Sequence, residues 1–293
     1  MLYGAIEAGG TKMVLGIGEG NGRIREQISI PTRTPDETMP EMIAYFKDKN
    51  IASLGVASFG PVCLDKSDEM YGCITATPKL AWRNYPVLRV LREALQVKCG
   101  FDTDVNAAAL GEARYGAAKG CADAVYFTVG TGIGAGIISG GNLVHGMQHP
   151  EMGHMPLRPL DGDPCPRGFC PYHESCGEGL ASGPAMEKRW GMKARELPDD
   201  HDAWRLEAGY IAQLCAAALF TLSPRRIILG GGVLGHEGLI EKVREETERL
   251  LGGYLTAPGI RDMASLIVKP CLYPVSGLVG ALCLAEDAAN ENA

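Results

Sequence analysis

Four potential metal ligands lie close together in the middle of the chain, and they are His154, Cys170, His173 and Cys176. The spacing from Cys170 to His173 and from His173 to Cys176 lets neighbouring side chains reach one tetrahedral ion. Four nitrogen and sulfur ligands without an open position are typical of structural zinc. Cys165 is a competing ligand with a less typical spacing. Surface histidines and free thiols are the alternative, and the clustering favours zinc.

Glycine-rich turns recur at three places, and each could direct backbone N–H groups at a phosphate. The first two turns each separate two apolar runs and each contain a threonine, which indicates one phosphate-binding hairpin present twice. Glycine doublets that only form tight hairpins are the alternative. The predicted nucleotide contacts are Gly9, Gly10, Thr11 and Lys12 in the first turn, Gly130, Thr131 and Gly132 in the second, and Gly231, Gly232 and Val233 in the third.

Two acidic residues could take part in phosphoryl transfer. Glu7 precedes the first glycine turn, where a carboxylate could hold a hydrated Mg²⁺ between protein and phosphates. Asp104 lies where a predicted strand ends and a predicted helix begins, so it could accept a proton from an attacking hydroxyl. An N-cap of that helix is the structural alternative for Asp104, and the two roles are compatible.

Strands alternate with helices along the chain, which predicts an α/β fold with mixed sheets. Strands are expected around both glycine hairpins and at 53–58, 97–102, 226–229 and 266–268. Helices are expected at 38–48, 86–96, 183–190, 203–222, 238–251 and 277–287, and from Asp104 to Glu112. We expect an N-terminal domain at 1–115, on which the helix at 277–290 packs, and a C-terminal domain at 116–276 that contains a polar loop at 146–178.

The 293 residues carry a formal charge of −7, which argues against a general nucleic-acid-binding protein. A membrane span is not expected, because no apolar run approaches the roughly 20 residues that it needs. A cytoplasmic location is expected by default. Seven of the ten cysteines lie singly among apolar or helical neighbours, where we expect small buried side chains rather than disulfides. The sequence lacks a Walker A motif, and the glycines at 130–135 match a dinucleotide fingerprint only loosely.

Several of these segments resemble motifs of the ROK family of sugar kinases and repressors. They are E-A-G-G-T-K from Glu7, D-x-N-A-A-A-L-G-E from Asp104, T-V-G-T-G-I-G-A-G from Thr128 and I-I-L-G-G-G-V from Ile227. The resemblance spans essentially the whole chain. It implies two ribonuclease-H-like (actin-like ATPase) domains with a cleft between them, which close over ATP and a sugar. It also implies Asp104 as the base, and it suggests a homodimer.

The metal loop narrows the resemblance to the bacterial ROK fructokinases. The segment from Glu151 to His154 is similar to the family's E-x-G-H, in which the glutamate contacts sugar and the histidine binds zinc. His173 replaces a cysteine of the usual pattern, Glu178 is retained, and Thr103 replaces an asparagine that binds sugar in glucokinases. By this resemblance Pro184 lies beside the nucleotide. The predicted sugar contacts are Gly60, Pro61, Thr103, Asp104, Glu151 and Glu178.

The sequence therefore predicts ATP-dependent phosphorylation of a hexose, with D-fructose converted to fructose 6-phosphate. A kinase of the same family that acts on mannose, glucose or an N-acetylhexosamine is the first alternative. A non-catalytic sugar sensor is the second. A ROK repressor would have a helix-turn-helix before the first phosphate motif, and we do not expect one in the six residues before Glu7.

Overall fold

The computed structural model describes residues 1–291, which form two compact units. The first unit contains Met1–Lys119, Leu143–Pro150 and the segment from Cys271 onward. The second contains Gly120–Asn142 and Glu151–Pro270. Each unit has its own sheet and helices.

Three short segments differ from the expected division of the chain. Residues 116–119, 143–150 and 271–276, expected in the C-terminal domain, group with the first unit. Hydrogen bonds explain the difference for the two later segments. His145 and His149 bond to residues of the first unit, and the Cys271 and Leu272 N–H groups donate to its Glu112. Such long-range bonds leave no local pattern in the sequence.

The first unit is built on one five-stranded sheet. Its strands are β1 (Leu2–Ala8), β2 (Lys12–Glu19), β3 (Ile24–Pro31), β4 (Ser53–Ser58) and β5 (Lys98–Thr103). They lie in the order β3-β2-β1-β4-β5, with β1, β2 and β3 antiparallel and with β4 and β5 parallel to β1. Its helices are α1 (Pro35–Phe46), α2 (Val87–Leu95), α3 (Asp104–Tyr115) and α9 (Ser276–Asn290).

The second unit repeats this arrangement. Its strands are β6 (Ala124–Val129), β7 (Ile133–Ser139), β8 (Asn142–Leu143), β9 (Arg226–Gly230) and β10 (Ile267–Val268), in the order β10-β9-β6-β7-β8. β6 and β7 form an antiparallel hairpin, and β9 pairs in parallel with β6. Its helices are α4 (Gly177–Ala181), α5 (Gly183–Trp190), α6 (Ala203–Thr221), α7 (Leu239–Leu251) and α8 (Met263–Leu266).

Glycines allow α9 to pack directly on the centre of the first sheet. All six residues of β4 are buried, as expected for a strand covered on both faces. A Cβ atom on Gly55 of β4 would lie 1.7 Å from the Ala281 carbonyl oxygen of α9. A Cβ atom on Gly280 would lie 1.7 Å from the Ala107 carbonyl oxygen of α3. Any side chain at these two positions would displace α9. The first turn of α9, which lies beside Glu7, would be displaced as well.

The α/β class and both glycine hairpins are confirmed, whereas two strands were missed. Most residues of β3 are exposed, and the alternation of Ile24, Ile28 and Ile30 is interrupted by Glu26, which weakens the pattern that marks a strand. β8 has only two residues. α1 begins at Pro35, three residues before the expected start, because Thr34 and Glu37 form a capping box. Within residues 1–291, no helix has the length and apolar character needed to cross a membrane.

Candidate functional site

The first glycine turn connects β1 to β2 and is fixed by the residue that follows β3. The Gly9 N–H donates to the Lys12 carbonyl at 3.0 Å. Thr32 donates from its hydroxyl to the Gly9 carbonyl at 2.7 Å and from its N–H to the Thr11 carbonyl at 3.0 Å. Gly10, Thr11 and Lys12 are exposed. The turn is therefore held on one side and open to an anion on the other.

Glu7 lies on β1 against the first turn of α9. Its carboxylate accepts a hydrogen bond from the backbone of Leu278. A Cβ atom on Gly277 would lie only 2.7 Å from the Glu7 Cδ atom, so glycine is needed there. Burial raises the pKa of Glu7, while the charge of Lys12 and the Leu278 hydrogen bond favour the ionised form. This carboxylate near the first glycine turn has the oxygen chemistry that Mg²⁺ prefers.

Asp104 is the first residue of α3, directly after the buried end of β5. The N-cap is Thr103, whose hydroxyl oxygen accepts a hydrogen bond from the Asn106 N–H at 3.1 Å. Asp104 Oδ1 accepts from the Val105 N–H at 2.9 Å. The N-cap role considered for Asp104 is therefore wrong, because Thr103 is the N-cap.

A buried polar cluster that the sequence did not predict surrounds this strand–helix junction. Asp102 is 3% exposed, and its Oδ1 atom accepts from the Thr103 N–H and the Asn106 side-chain amide, both at 2.7 Å. Its Oδ2 atom lies 2.8 Å from the Nε2 atom of His145. The hydrogen bond to Asp102 and, to a lesser extent, the negative charge of Asp102 raise the pKa of His145. Because 43 residues separate these two side chains, spacing alone could not pair them.

Gly60 and Pro61 follow β4 and are joined by a cis peptide bond. The next N–H group, that of Val62, donates to the Nε2 atom of His149 at 3.2 Å. His149 is 6% exposed, and burial lowers its pKa, which favours the neutral ring that accepts this bond. The segment at 143–150 thus provides two histidines to the first unit, next to two groups of predicted sugar contacts.

Glu112 of α3 is fully buried, and its two oxygens accept four hydrogen bonds. The donors are the N–H groups of Ala117, Cys271 and Leu272 and the hydroxyl of Ser276. These bonds measure 2.7–3.1 Å and tie α3 to the segment that leads into α9. Glu112 is therefore a structural residue that joins α3 to this segment.

The second glycine turn connects β6 to β7 and lies beside the start of α5. The Gly130 N–H donates to the Gly132 carbonyl at 2.9 Å, and the Gly130 carbonyl accepts from the Gly183 N–H at 2.8 Å. Pro184 follows in the first turn of α5 and is exposed. A Cβ atom on Gly130 would lie 4.0 Å from the Gly232 nitrogen. The three predicted nucleotide segments of the second unit therefore meet at one place.

The third glycine turn follows β9 and precedes a short 3-10 helix at Val233–Gly235. Gly231 has a φ angle of +95°, which side chains rarely adopt. A Cβ atom on this residue would lie 2.3 Å from the Val129 carbonyl oxygen of β6. The backbone at position 231 therefore requires glycine. The absence of a side chain lets the third turn pack against the end of β6.

Glu151 and Glu178 lie close together near the second glycine turn. Glu178 Oε2 accepts from the Ile133 N–H at 3.1 Å and would lie 2.6 Å from a Cβ atom on Gly132. Desolvation by surrounding protein and, to a lesser extent, the charge of Glu178 raise the pKa of Glu151 to about 7. One of these carboxylates therefore contacts the turn itself, a contact that the sequence did not reveal.

The four predicted metal ligands converge in the second unit. The ligand atoms of His154, Cys170, His173 and Cys176 all lie within 4.8 Å of one another. His154 Nδ1 is 3.9 Å from Cys170 Sγ and 3.8 Å from Cys176 Sγ, and His173 Nδ1 is 3.7 Å from Cys170 Sγ. Tetrahedral zinc bonds place ligand atoms about 3.6 Å apart, so the group fits such an ion. Cys165 does not belong to this group as described in residues 1–291.

The predicted sugar contacts divide between the units. Gly60, Pro61, Thr103 and Asp104 belong to the first unit, and Glu151 and Glu178 belong to the second. Thr103 is 3% exposed, and its hydroxyl oxygen already caps α3. The sugar-binding roles of these residues stay predictions.

Known proteins match the chain over nearly its whole length. It is 43% identical to a fructokinase of Pediococcus pentosaceus over 288 residues, which covers 98% of this chain and 99% of the relative. It is 41% identical to a fructokinase of Zymomonas mobilis, covering 99% and 98%. A crystal structure of a ROK family glucokinase from Streptomyces griseus, in complex with glucose and AMPPNP, is 25% identical, with a TM-score of 0.78 and coverage of 98% and 100%.

The family model described as the ROK family matches residues 3–288. The two sheets of equal strand order agree with the actin-like ATPase fold of these kinases. On this evidence the chain belongs to the ROK family.

Proposed function

We propose that this protein transfers the γ-phosphoryl group of ATP to the 6-hydroxyl group of D-fructose. The observation that carries the proposal is the repeated glycine hairpin, which occupies the same place in two sheets of the same strand order. Each such turn offers backbone N–H groups that suit the phosphates of a nucleotide. Family membership and the two fructokinase relatives support a sugar as the acceptor.

Asp104 is the proposed base of the reaction. The sugar oxygen forms a bond to the γ-phosphorus as the bond from that phosphorus to the β,γ-bridging oxygen breaks. The proton of the hydroxyl passes to the Asp104 carboxylate, and ADP leaves with the electron pair of the broken bond. Phosphoryl transfer needs mainly orientation and charge stabilisation, so a carboxylate fixed at a helix start suits this role.

ATP is proposed to contact both glycine hairpins and the third turn. Gly9, Gly10, Thr11 and Lys12 serve from the first unit. Gly130, Thr131, Gly132, Pro184, Gly231, Gly232 and Val233 serve from the second. When bound, Mg²⁺ neutralises charge on the phosphates, and Glu7 would hold it through water. Backbone groups dominate this set, which is how a chain of net charge −7 can bind a polyanion.

The metal group is proposed to bind structural zinc. Two thiolates and two imidazoles in tetrahedral reach, with no fifth group in the set, match closed zinc sites. The Nε2 atom of His154 lies 4.0 Å from Glu178 Oε1, and Glu151 precedes His154 by three residues. A metal on His154 Nδ1 would therefore fix the ring beside one predicted sugar ligand and the loop that contains the other.

A hexose panel tests the substrate. We expect kcat/KM with ATP to be about tenfold or more higher for fructose than for mannose or glucose, since unmatched hydroxyl groups leave polar side chains unpaired. Coupled detection of ADP over the panel measures this ratio. Equal or better turnover of glucose would exclude fructose as the preferred substrate, and no turnover of any hexose would favour a sugar sensor. A homodimer and a cytoplasmic location remain part of the proposal.

A further inference from the structure

Asp102 and His145 form a hydrogen-bonded carboxylate–imidazole pair that takes no part in the phosphoryl transfer proposed above. The Asp102 side chain is 4% exposed and that of His145 is 39% exposed. A buried carboxylate is costly unless its oxygens are hydrogen-bonded, and Asp102 meets that need with three donors. Asp102 thus fixes the imidazole of His145 through one ring nitrogen, and part of the ring stays exposed.

The pair lies at the proposed base. Asp102 Oδ1 accepts from the N–H of Thr103 and the side-chain amide of Asn106, which lie one residue before and two residues after Asp104. Both polar contacts that His145 makes within the described chain involve its Nε2 atom, which lies 2.8 Å from Asp102 Oδ2 and 3.5 Å from the Asn106 side-chain nitrogen. With Nε2–H donated to the Asp102 carboxylate, Nδ1 is the ring nitrogen that has no hydrogen-bond partner among residues 1–291.

Thr103 has little surface that a sugar could reach in this structure. Its hydroxyl oxygen accepts from the Asn106 N–H, and only 3% of the residue is exposed. The carbonyl oxygen of the Asn106 side chain is also buried and has no partner within residues 1–291. Neither of these buried side chains presents an exposed polar group to a hexose, whereas the imidazole of His145 at the same junction is 39% exposed.

We propose that His145 is a further sugar-binding residue, and that its Nδ1 atom forms a hydrogen bond to a hydroxyl group of the hexose. Asp102 is the positioning residue that holds the opposite ring nitrogen. This inference rests on the proposed kinase function and adds a substrate contact to the Asp104 side of the sugar.

The chemistry suits a hydroxyl partner in both protonation states. With Nε2–H donated to Asp102, neutral His145 presents Nδ1 as an acceptor for a sugar O–H. When His145 is protonated, Nδ1–H becomes a donor to the same hydroxyl oxygen. A hydroxyl group can donate and accept, so the contact survives either state.

Three substitutions separate a sugar contact from a purely structural role. In His145→Asn the side-chain amide takes the place of Nδ1, and in His145→Gln it takes the place of Nε2. His145→Phe removes both polar atoms. We expect KM for fructose to rise about tenfold in His145→Phe and His145→Gln and less in His145→Asn, with KM for ATP unchanged in all three. His201→Gln, a histidine of the second unit, is the matched control and should keep both KM values.

A measurement on the unaltered protein supplements the variants. In the absence of ATP, fructose should shift the Nδ1 resonance of His145 in long-range ¹H–¹⁵N spectra. An unshifted resonance, an unchanged KM for fructose in all variants, or a KM closer to wild type in His145→Gln than in His145→Asn would overturn the inference. These outcomes test the inference when the wild-type enzyme phosphorylates fructose. A wild type that phosphorylates no hexose would overturn the proposed function instead, and the inference with it.

Discussion

The two units share one strand order, but they fix their loops by different chemistry. In the first unit, carboxylates bind the long-range segments: Glu112 holds the entry to α9, and Asp102 holds His145. In the second, four cysteine and histidine side chains of the polar loop converge within 4.8 Å of one another, where we propose that zinc binds. A buried ion pair of Arg189 with Asp163, at 2.9 Å, adds to this anchoring. A duplicated sheet thus supports two kinds of loop attachment.

The difference extends to the strand at the matching edge of each sheet. β5 has six residues and leads directly into α3, where Asp104 stands at the first position. β10 has two residues and is followed by Lys269 and Pro270, so it leads into no such helix. Both units contain the glycine hairpin, but only the first has a helix that begins directly after the edge strand, with Asp104 as its first residue. The comparison therefore assigns the proposed base to the first unit alone.

Loss of the proposed zinc should give the largest effect, and only in the second unit. Structural zinc contributes on the order of 10 kcal/mol of binding free energy, so Cys176→Ser should release the ion and destabilise the loop at 146–178. Metal analysis would then show one zinc per wild-type chain and none in the variant. Amide hydrogen exchange should accelerate in this loop and stay unchanged around Asp102 and Glu112.

Cys165→Ser is the matched control for the metal, because Cys165 lies in the same loop but outside the ligand group. It should retain one zinc and the exchange pattern of the wild type. Zinc loss in both cysteine variants, or a wild-type protein without zinc, would refute the assigned ligands.

A smaller effect is expected from Glu112, and it should appear in the first unit. Glu112→Gln replaces one acceptor oxygen by an NH₂ group that faces two donors, and buried unpaired donors cost about 1–3 kcal/mol each. We expect the free energy of unfolding to fall by about 3 kcal/mol in urea titrations. Glu246→Gln, at an exposed ion pair with Arg249, should change it by less than about 0.5 kcal/mol. Equal stability of both variants would argue against the carboxylate as the anchor of α9.

Local patterns in the sequence predicted much of the site. The glycine turns, the position of Asp104 and the spacing of the metal ligands are each contained in a short stretch of chain. The pairing of Asp102 with His145, the bonds from the segment 271–276 to Glu112 and the contact of Glu178 with Ile133 join residues that are 43 to 164 positions apart. Such contacts arise from sheet order and helix packing, which leave no periodic trace in one sequence.

The most direct measurement of the central claim is single-turnover phosphoryl transfer by Asp104→Asn with saturating ATP and fructose. The amide keeps the size of the side chain and cannot accept the proton, so the rate should fall by about a thousandfold. Fructose affinity, measured by calorimetry, should stay within about threefold of the wild type. Transfer at the wild-type rate would contradict the assignment of Asp104 as the base and the functional difference between the two units.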